Sequence, residues 1–241
     1  MGLSLAVRVL HVLLLVTFIL GFSIFQEAKA QTMKPTITRH DVNGFETIFV
    51  NTHTGNSVIF AANVQVGMDH DDPVRTAGLT HLWEHVIHNG SKKFPGYETL
   101  DKSIEGLGLN RNANTSGTRT YYFFSGHVDS FEKALPLYGA MFSEPEWNEA
   151  TFEREKKVVM NEALEYQRRD DMILYSGIKL RTLSADHHFA KYHIGTQEQL
   201  ASTTPDDLKA LFRNNYRPGS TQLIVVGNLD KVADAEVSWN Q

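Results

Sequence analysis

Apolar and polar residues alternate with a period of two in the stretches that follow the first thirty residues, which is the signature of β-strands. Thr36 to His40 and Phe45 to Val50 carry this alternation on either side of Asn43-Gly44, a dipeptide suited to a two-residue hairpin. Ser57 to Val66 (SVIFAANVQV) is apolar enough to be a central strand. After a polar loop from Asp69 to Arg75 the period lengthens to that of a helix, which Thr76 is placed to cap and Asn89-Gly90 to end near His88. Glu98 to Glu105 predicts a second helix, stopped by Gly106. Asn110 to Ser116 and Thr118 to Ser125 predict two strands about a turn at Gly117. Helices are predicted over Ser130 to Phe142, Glu149 to Arg169 and Met172 to Leu183, then from Pro205, behind an N-cap at Thr204, to Asn214. Ser184 to Gly195 reads as a loop, Thr221 to Val226 as a last buried strand, and Asp230 to Trp239 as the start of a further helix. Hairpins mixed with helices, without a βαβ repeat, point to an α+β fold with a layered, largely antiparallel sheet packed against helices.

The opening of the chain follows a different pattern. Arg8 precedes an apolar run from Val9 to Phe25, and Ala28-Lys29-Ala30 has the small-x-small form of a signal-peptidase site. Residues 1–30 are therefore predicted to be a signal peptide, and 31–241 the mature domain. An uncleaved membrane anchor is the alternative, since the run approaches spanning length. Either way the protein is expected to be exported, and the absence of cysteine is compatible with a bacterial periplasm.

Composition narrows the chemistry. A chain of 241 residues that is 41% hydrophobic and 21% charged is an ordinary globular protein. A net charge of −5, with no Lys/Arg run, argues against a nucleic-acid partner. Because there is no cysteine, any transition-metal site must draw on Asp, Glu and the 11 histidines.

The first predicted helix supplies such a site. In His81-Leu82-Trp83-Glu84-His85 the two histidines are four apart, so His81, Glu84 and His85 share one helix face. Two imidazoles at that spacing suit Zn²⁺, and a carboxylate beside them suits a general base. A third ligand must come from elsewhere. The long helix offers Glu153, Glu155, Glu162 and Glu165, of which Glu155 and Glu162 share a face, as do Glu162 and Glu165. These glutamates also fit a solvated face paired with Arg154, Lys156 and Lys157. Against that, the apolar residues Val158, Val159, Ala163 and Leu164 flank Glu162 and would carry it inward, where a carboxylate needs a partner. Spacing alone does not choose between Glu162 and Glu165.

The His81-to-His85 motif, together with Phe152-Glu153-Arg154-Glu155-Lys156-Lys157-Val158-Val159-Met160-Asn161-Glu162, resembles the N-terminal, zinc-binding half of the pitrilysin/insulinase family of metallopeptidases. The resemblance runs from about Ile37 to Asp230. It implies that one Zn²⁺ is held by His81, His85 and Glu162, that Glu84 is the general base, and that Glu155 is an outer carboxylate supporting the ligands. Asn112-Ala113-Asn114-Thr115-Ser116 resembles the family's substrate-pairing edge strand, which implies that Asn112 and Ala113 bind peptide by β-augmentation. Tyr192-His193-Ile194-Gly195-Thr196 and Leu208 to Pro218 resemble further family segments that look structural. The family fold is one half of a two-half clamshell, so a second family-like half or partner subunit is implied, and the chain reads as apparently truncated after its first half. Zinc-dependent endopeptidase activity on peptides or unfolded segments is the implied function. A non-catalytic peptide-binding or scaffolding subunit, or an inactive fragment, is the alternative.

The sequence departs from the family pattern in three places. Thr80 and Trp83 replace the small and Leu/Phe residues usual there, and His88 stands where an apolar residue is usual. His88 faces roughly toward the site but is expected to be a packed or solvent-facing histidine, and His187 and His188 are expected to be surface residues.

Overall fold

The computed structural model describes residues 33–183 and 194–232. The predicted signal peptide, His187, His188 and the predicted helix beyond residue 232 lie outside them. All the elements named below belong to one compact unit, Pro35–Gln241.

Asn43 and Gly44 both have positive φ, 54° and 84°, the pairing that a tight type I′ hairpin requires. They join β1 (Thr36–Val42) to β2 (Phe45–Asn51), with Val42 opposite Phe45. Four further strands complete one sheet: β3 (Ser57–Val64), β4 (Asn110–Thr115), β5 (Thr120–His127) and β6 (Thr221–Gly227). Their order is β1-β2-β6-β3-β5-β4. The last strand in sequence thus inserts between β2 and β3, and its pairing with β2 is the parallel one in an otherwise antiparallel sheet. β3 is central, as its apolar run predicts. Val58, Phe60, Ala62 and Val64 are completely buried on one face, while Ile59 is 40% exposed on the other.

The other main elements are helices. They are α1 (Leu79–Ile87), α2 (Tyr97–Gly106), α3 (Phe131–Ser143), α4 (Glu149–Arg168), α5 (Asp170–Thr182), α6 (Gln197–Ser202) and α7 (Pro205–Asn215). Phe60 meets Phe131 and Tyr138 of α3 at ring-centroid distances of 5.1 and 6.1 Å, and Phe124 of β5 meets Tyr138 at 5.1 Å. No helix among the described residues is long and apolar enough to cross a membrane.

Two details differ from the sequence expectation. Thr76 does not cap α1. The N-cap is Gly78 in the left-handed region (φ 88°), while the Thr76 carbonyl accepts from Leu79 N at 3.0 Å and so closes the turn ahead of the helix. The helix α6 was not anticipated, although Thr196-x-x-Gln199 forms a capping box, a local signal that was there to be read. The departure at Trp83 also has its reason. Its side chain is fully buried, stacked on Trp147 at 5.1 Å and packed against Phe212 and Tyr216 of the α7 region. A smaller Leu would leave that aromatic cluster short of a member.

Ile194-Gly195 packs directly on the entrance to α1. A Cβ on Gly78 would lie 2.3 Å from the Ile194 carbonyl oxygen, and one on Gly195 would lie 2.2 Å from that of Ala77. Gly55 has a similar φ, +80°, but open space around it. Gly55→Ala should therefore cost only left-handed strain, about 1–2 kcal/mol. Gly78→Ala should add an overpacking cost of about 1–3 kcal/mol, visible as a further Tm drop of roughly 2–4 °C per kcal/mol. Equal losses in the two variants would show that the close approach carries no energy.

Candidate metal centre

The site lies where α1 crosses α4. α1 buries Leu82, Trp83, Val86 and Ile87 in the core, which leaves His81, Glu84 and His85 on its less buried side. α4 starts at Asn148, whose side chain accepts from Ala150 N and Thr151 N at 2.9 and 3.2 Å. Its buried seam is Phe152, Val159 and Ala163. Val158, which the sequence reading placed in that seam, is 38% exposed, because it falls a full residue's rotation away from Val159. The seam carries Glu155 and Glu162 on its flank toward α1, while Glu165 is exposed.

His81 Nε2 is 3.7 Å and His85 Nε2 is 3.5 Å from the same oxygen of Glu162. The ligand atoms of His81, His85 and Glu162 all lie within 4.8 Å of one another. Tetrahedral ligands on bonds of about 2.0–2.1 Å sit roughly 3.3 Å apart, so two nitrogens and a carboxylate oxygen at these distances fit a zinc ion with little movement. The two imidazoles stand edge to face at 4.9 Å. On the far side of its ring, His85 Nδ1 is 3.4 Å from Glu155, which is also bound by Arg154 at 3.1 Å.

The opposite charges of His85, Glu155 and Glu162 reinforce one another. Burial works against a charged His85, yet hydrogen bonds to Glu155 and Glu162 raise it to about 9. The hydrogen bond from His85 holds Glu162 below the usual carboxylate range. Burial opposes ionisation of Glu155 too, but its bonds from His85 and Arg154 prevail and lower it. Burial pushes His81 down. Burial also raises Glu84, against the hydrogen bond it accepts from the Thr115 hydroxyl, so its basicity is enhanced.

Glu84 sits between this group and β4, the edge of the sheet. Asn112 and Ala113 of β4 line the same cavity of about 450 Å³, together with His88, Asn89, Tyr97 and Arg111. The Ala113 N–H is taken up by the Asn112 side-chain oxygen at 2.8 Å. His88 lies outside the metal group. Burial, helped by the nearby Arg111 guanidinium, pushes it down to about 3, and its ring packs on Tyr122 at 5.9 Å. The structure therefore brings His81, His85, Glu162, Glu84 and Glu155 together, with Asn112 and Ala113 alongside. Thr115 and Arg154 belong to the site as well. Both stand inside motifs visible in the sequence, but no spacing rule says what their side chains touch.

Fold and site together define a metallopeptidase-type domain: one open sheet with two histidines and a glutamate presented from adjacent helices. The chain belongs to the insulinase family, peptidase family M16, whose family model matches residues 46–187. It is similar to the uncharacterized zinc protease YmxG of Bacillus subtilis, 27% identical over 187 residues that make up 78% of this chain and 45% of that protein. Its fold is that of pitrilysin (TM-score 0.74, 22% identity, 87% of this chain and 22% of that one). The periplasmic protease PqqL from Escherichia coli has it too (TM-score 0.72, 20% identity, 86% and 23%). The chain spans less than half the length of each of these proteins.

Proposed function

We propose that this domain is the zinc-binding half of an exported endopeptidase that hydrolyses peptides or unfolded segments. The observation that carries the reading is the convergence of His81, His85 and Glu162 beside Glu84, in a cavity bordered by an edge strand. These three residues would hold the zinc ion. Bound there, Zn²⁺ supplies Lewis acidity that makes water a stronger acid and polarises a carbonyl. Glu84 takes the proton of the attacking water and delivers it to the leaving amine, a role that a half-buried carboxylate with raised basicity suits. Thr115 fixes the orientation of Glu84 through its hydroxyl. The peptide extends the sheet at β4, where it displaces Asn112 from the Ala113 N–H. Glu155 holds His85 in the tautomer that turns Nε2 toward Glu162.

The opposite wall of the chamber comes from a second, family-like half or a partner subunit, in keeping with the fraction of its relatives that the chain spans. Export is proposed from the apolar run at residues 9–25 and is in keeping with the periplasmic location of PqqL. The test is zinc stoichiometry together with cleavage of an unstructured peptide, with and without a chain carrying a second half. One zinc per chain and cleavage that depends on the second half are expected. A chain that binds no zinc refutes the reading. Zinc and peptide binding without cleavage in either condition would favour a non-catalytic subunit.

A further inference from the structure

The two histidines of the metal group are held in different ways. His85 has an acceptor on each ring nitrogen, Glu155 at 3.4 Å and Glu162 at 3.5 Å. Among the described residues His81 has one carboxylate partner, Glu162, and its Nδ1 is buried with no hydrogen-bond partner there. A metal-binding histidine ordinarily donates its second nitrogen to a carboxylate or carbonyl, which fixes the ring. No described residue does this for His81, which directs attention to how the main chain beside it is held.

The main chain at that point is clamped from outside the helix. The first N–H groups of a helix have no partner within it, and the N-cap of α1 is a glycine with no side chain to offer. Asp71, in the loop before α1 and itself 7% exposed, fills that gap. Its carboxylate accepts from Gly78 N at 3.0 Å, from Thr80 N at 3.2 Å with both oxygens, and from the Thr80 hydroxyl at 2.5 Å. Thr80 is fully buried and directly precedes His81. Thr80 thus meets Asp71 with both its N–H and its hydroxyl, a second bond that a residue without a hydroxyl could not make. A carboxylate at a helix N-terminus is also favoured by the helix dipole.

We propose that Asp71 is a positioning residue for the metal site. By clamping Thr80 it fixes His81 through the backbone, as Glu155 fixes His85 through its ring. The proposal rests on reading His81, His85 and Glu162 as the ligands. Burial pushes Asp71 up to about 7 against the bonds from Thr80 and Gly78, so the test is run at pH 8, where the carboxylate is charged.

The experiment measures the zinc dissociation constant by competition with a chromophoric chelator, and the visible spectrum of the cobalt(II)-loaded protein. Asp71→Asn and Thr80→Val should each weaken zinc binding by about tenfold, the lower end of what outer partners of metal ligands contribute. Both should also alter the cobalt spectrum. Thr80→Ser, which keeps the hydroxyl, should restore both readouts. Ile104→Val, a core change in α2 away from the site, controls for stability alone and should leave zinc affinity and spectrum unchanged. The proposal is overturned if Asp71→Asn and Thr80→Val bind zinc like the unaltered protein, or if Ile104→Val weakens binding equally. If the unaltered protein binds no zinc, the ligand assignment itself is wrong and the proposal falls with it. Zinc binding by the unaltered protein with no effect in the variants leaves the assignment standing and removes only Asp71's role.

Discussion

Replacing Glu84 with Gln should leave zinc bound at the stoichiometry of the unaltered protein and lower kcat by about 10²–10⁴, the usual worth of general acid–base catalysis. At about 1.36 kcal/mol per tenfold, this is roughly 3–5 kcal/mol of transition-state stabilisation. The amide is nearly the same shape as the carboxylate and can still accept the Thr115 hydroxyl, so the local structure has no reason to change. It also removes a half-buried acid whose ionisation burial opposes, so the melting temperature should hold or rise. None of the three atoms grouped for the metal belongs to Glu84. The measurement is zinc content, melting temperature and peptide turnover on one preparation, with the second half supplied. Turnover at the unaltered rate would falsify the assignment of Glu84 as the base. Loss of zinc along with turnover would mean instead that Glu84 is a ligand.

The second large effect is expected on α4, where three glutamates separate by role. Glu162→Ala should weaken zinc binding by more than the ten- to hundredfold typical of outer partners, because it removes an oxygen that faces both histidines. Glu155→Gln should fall within that ten- to hundredfold range, since Glu155 touches only the far nitrogen of His85. Glu165→Ala, on the exposed face, should have no effect. Glu155 and Glu162 both hold His85, so the double variant should lose less than the sum of the two single losses. Chelator competition on the four proteins decides the matter. An effect of Glu165→Ala as large as that of Glu162→Ala would place the third ligand one turn further along the helix.

Much of this was legible before any coordinate. The Asn43-Gly44 hairpin, the apolar run of β3 and the Thr204-Pro205 helix start are local signals, and each became the element it predicts. The helix spacing of His81, Glu84 and His85 likewise depends only on neighbours in the chain. Where reading the sequence failed, the deciding contact was remote. Thr76 has the chemistry of a cap, but Gly195 packed against Ala77 and Asp71 serving the free N–H groups put the cap at Gly78. Val158 sits among apolar neighbours, yet α4 turns it to solvent, because a seam is set by what the helix lies against.

The sequence by itself determined the period of each segment, the ends of most elements, the presence of two histidines and a glutamate on one helix face, and a second helix with glutamates seven apart. These depend on backbone geometry and short-range hydrogen bonds, which repeat every few residues. Spacing left open which glutamate faces the histidines and whether β4 is an edge strand beside Glu84; the family resemblance implied both, and only the tertiary structure shows their geometry and that Asp71 and Thr115 reach into the site. Those facts depend on where α1, α4 and the sheet come to rest. That is set by burying Phe60, Trp83, Val159 and their neighbours in one core, a sum over the whole fold that no short window of sequence contains.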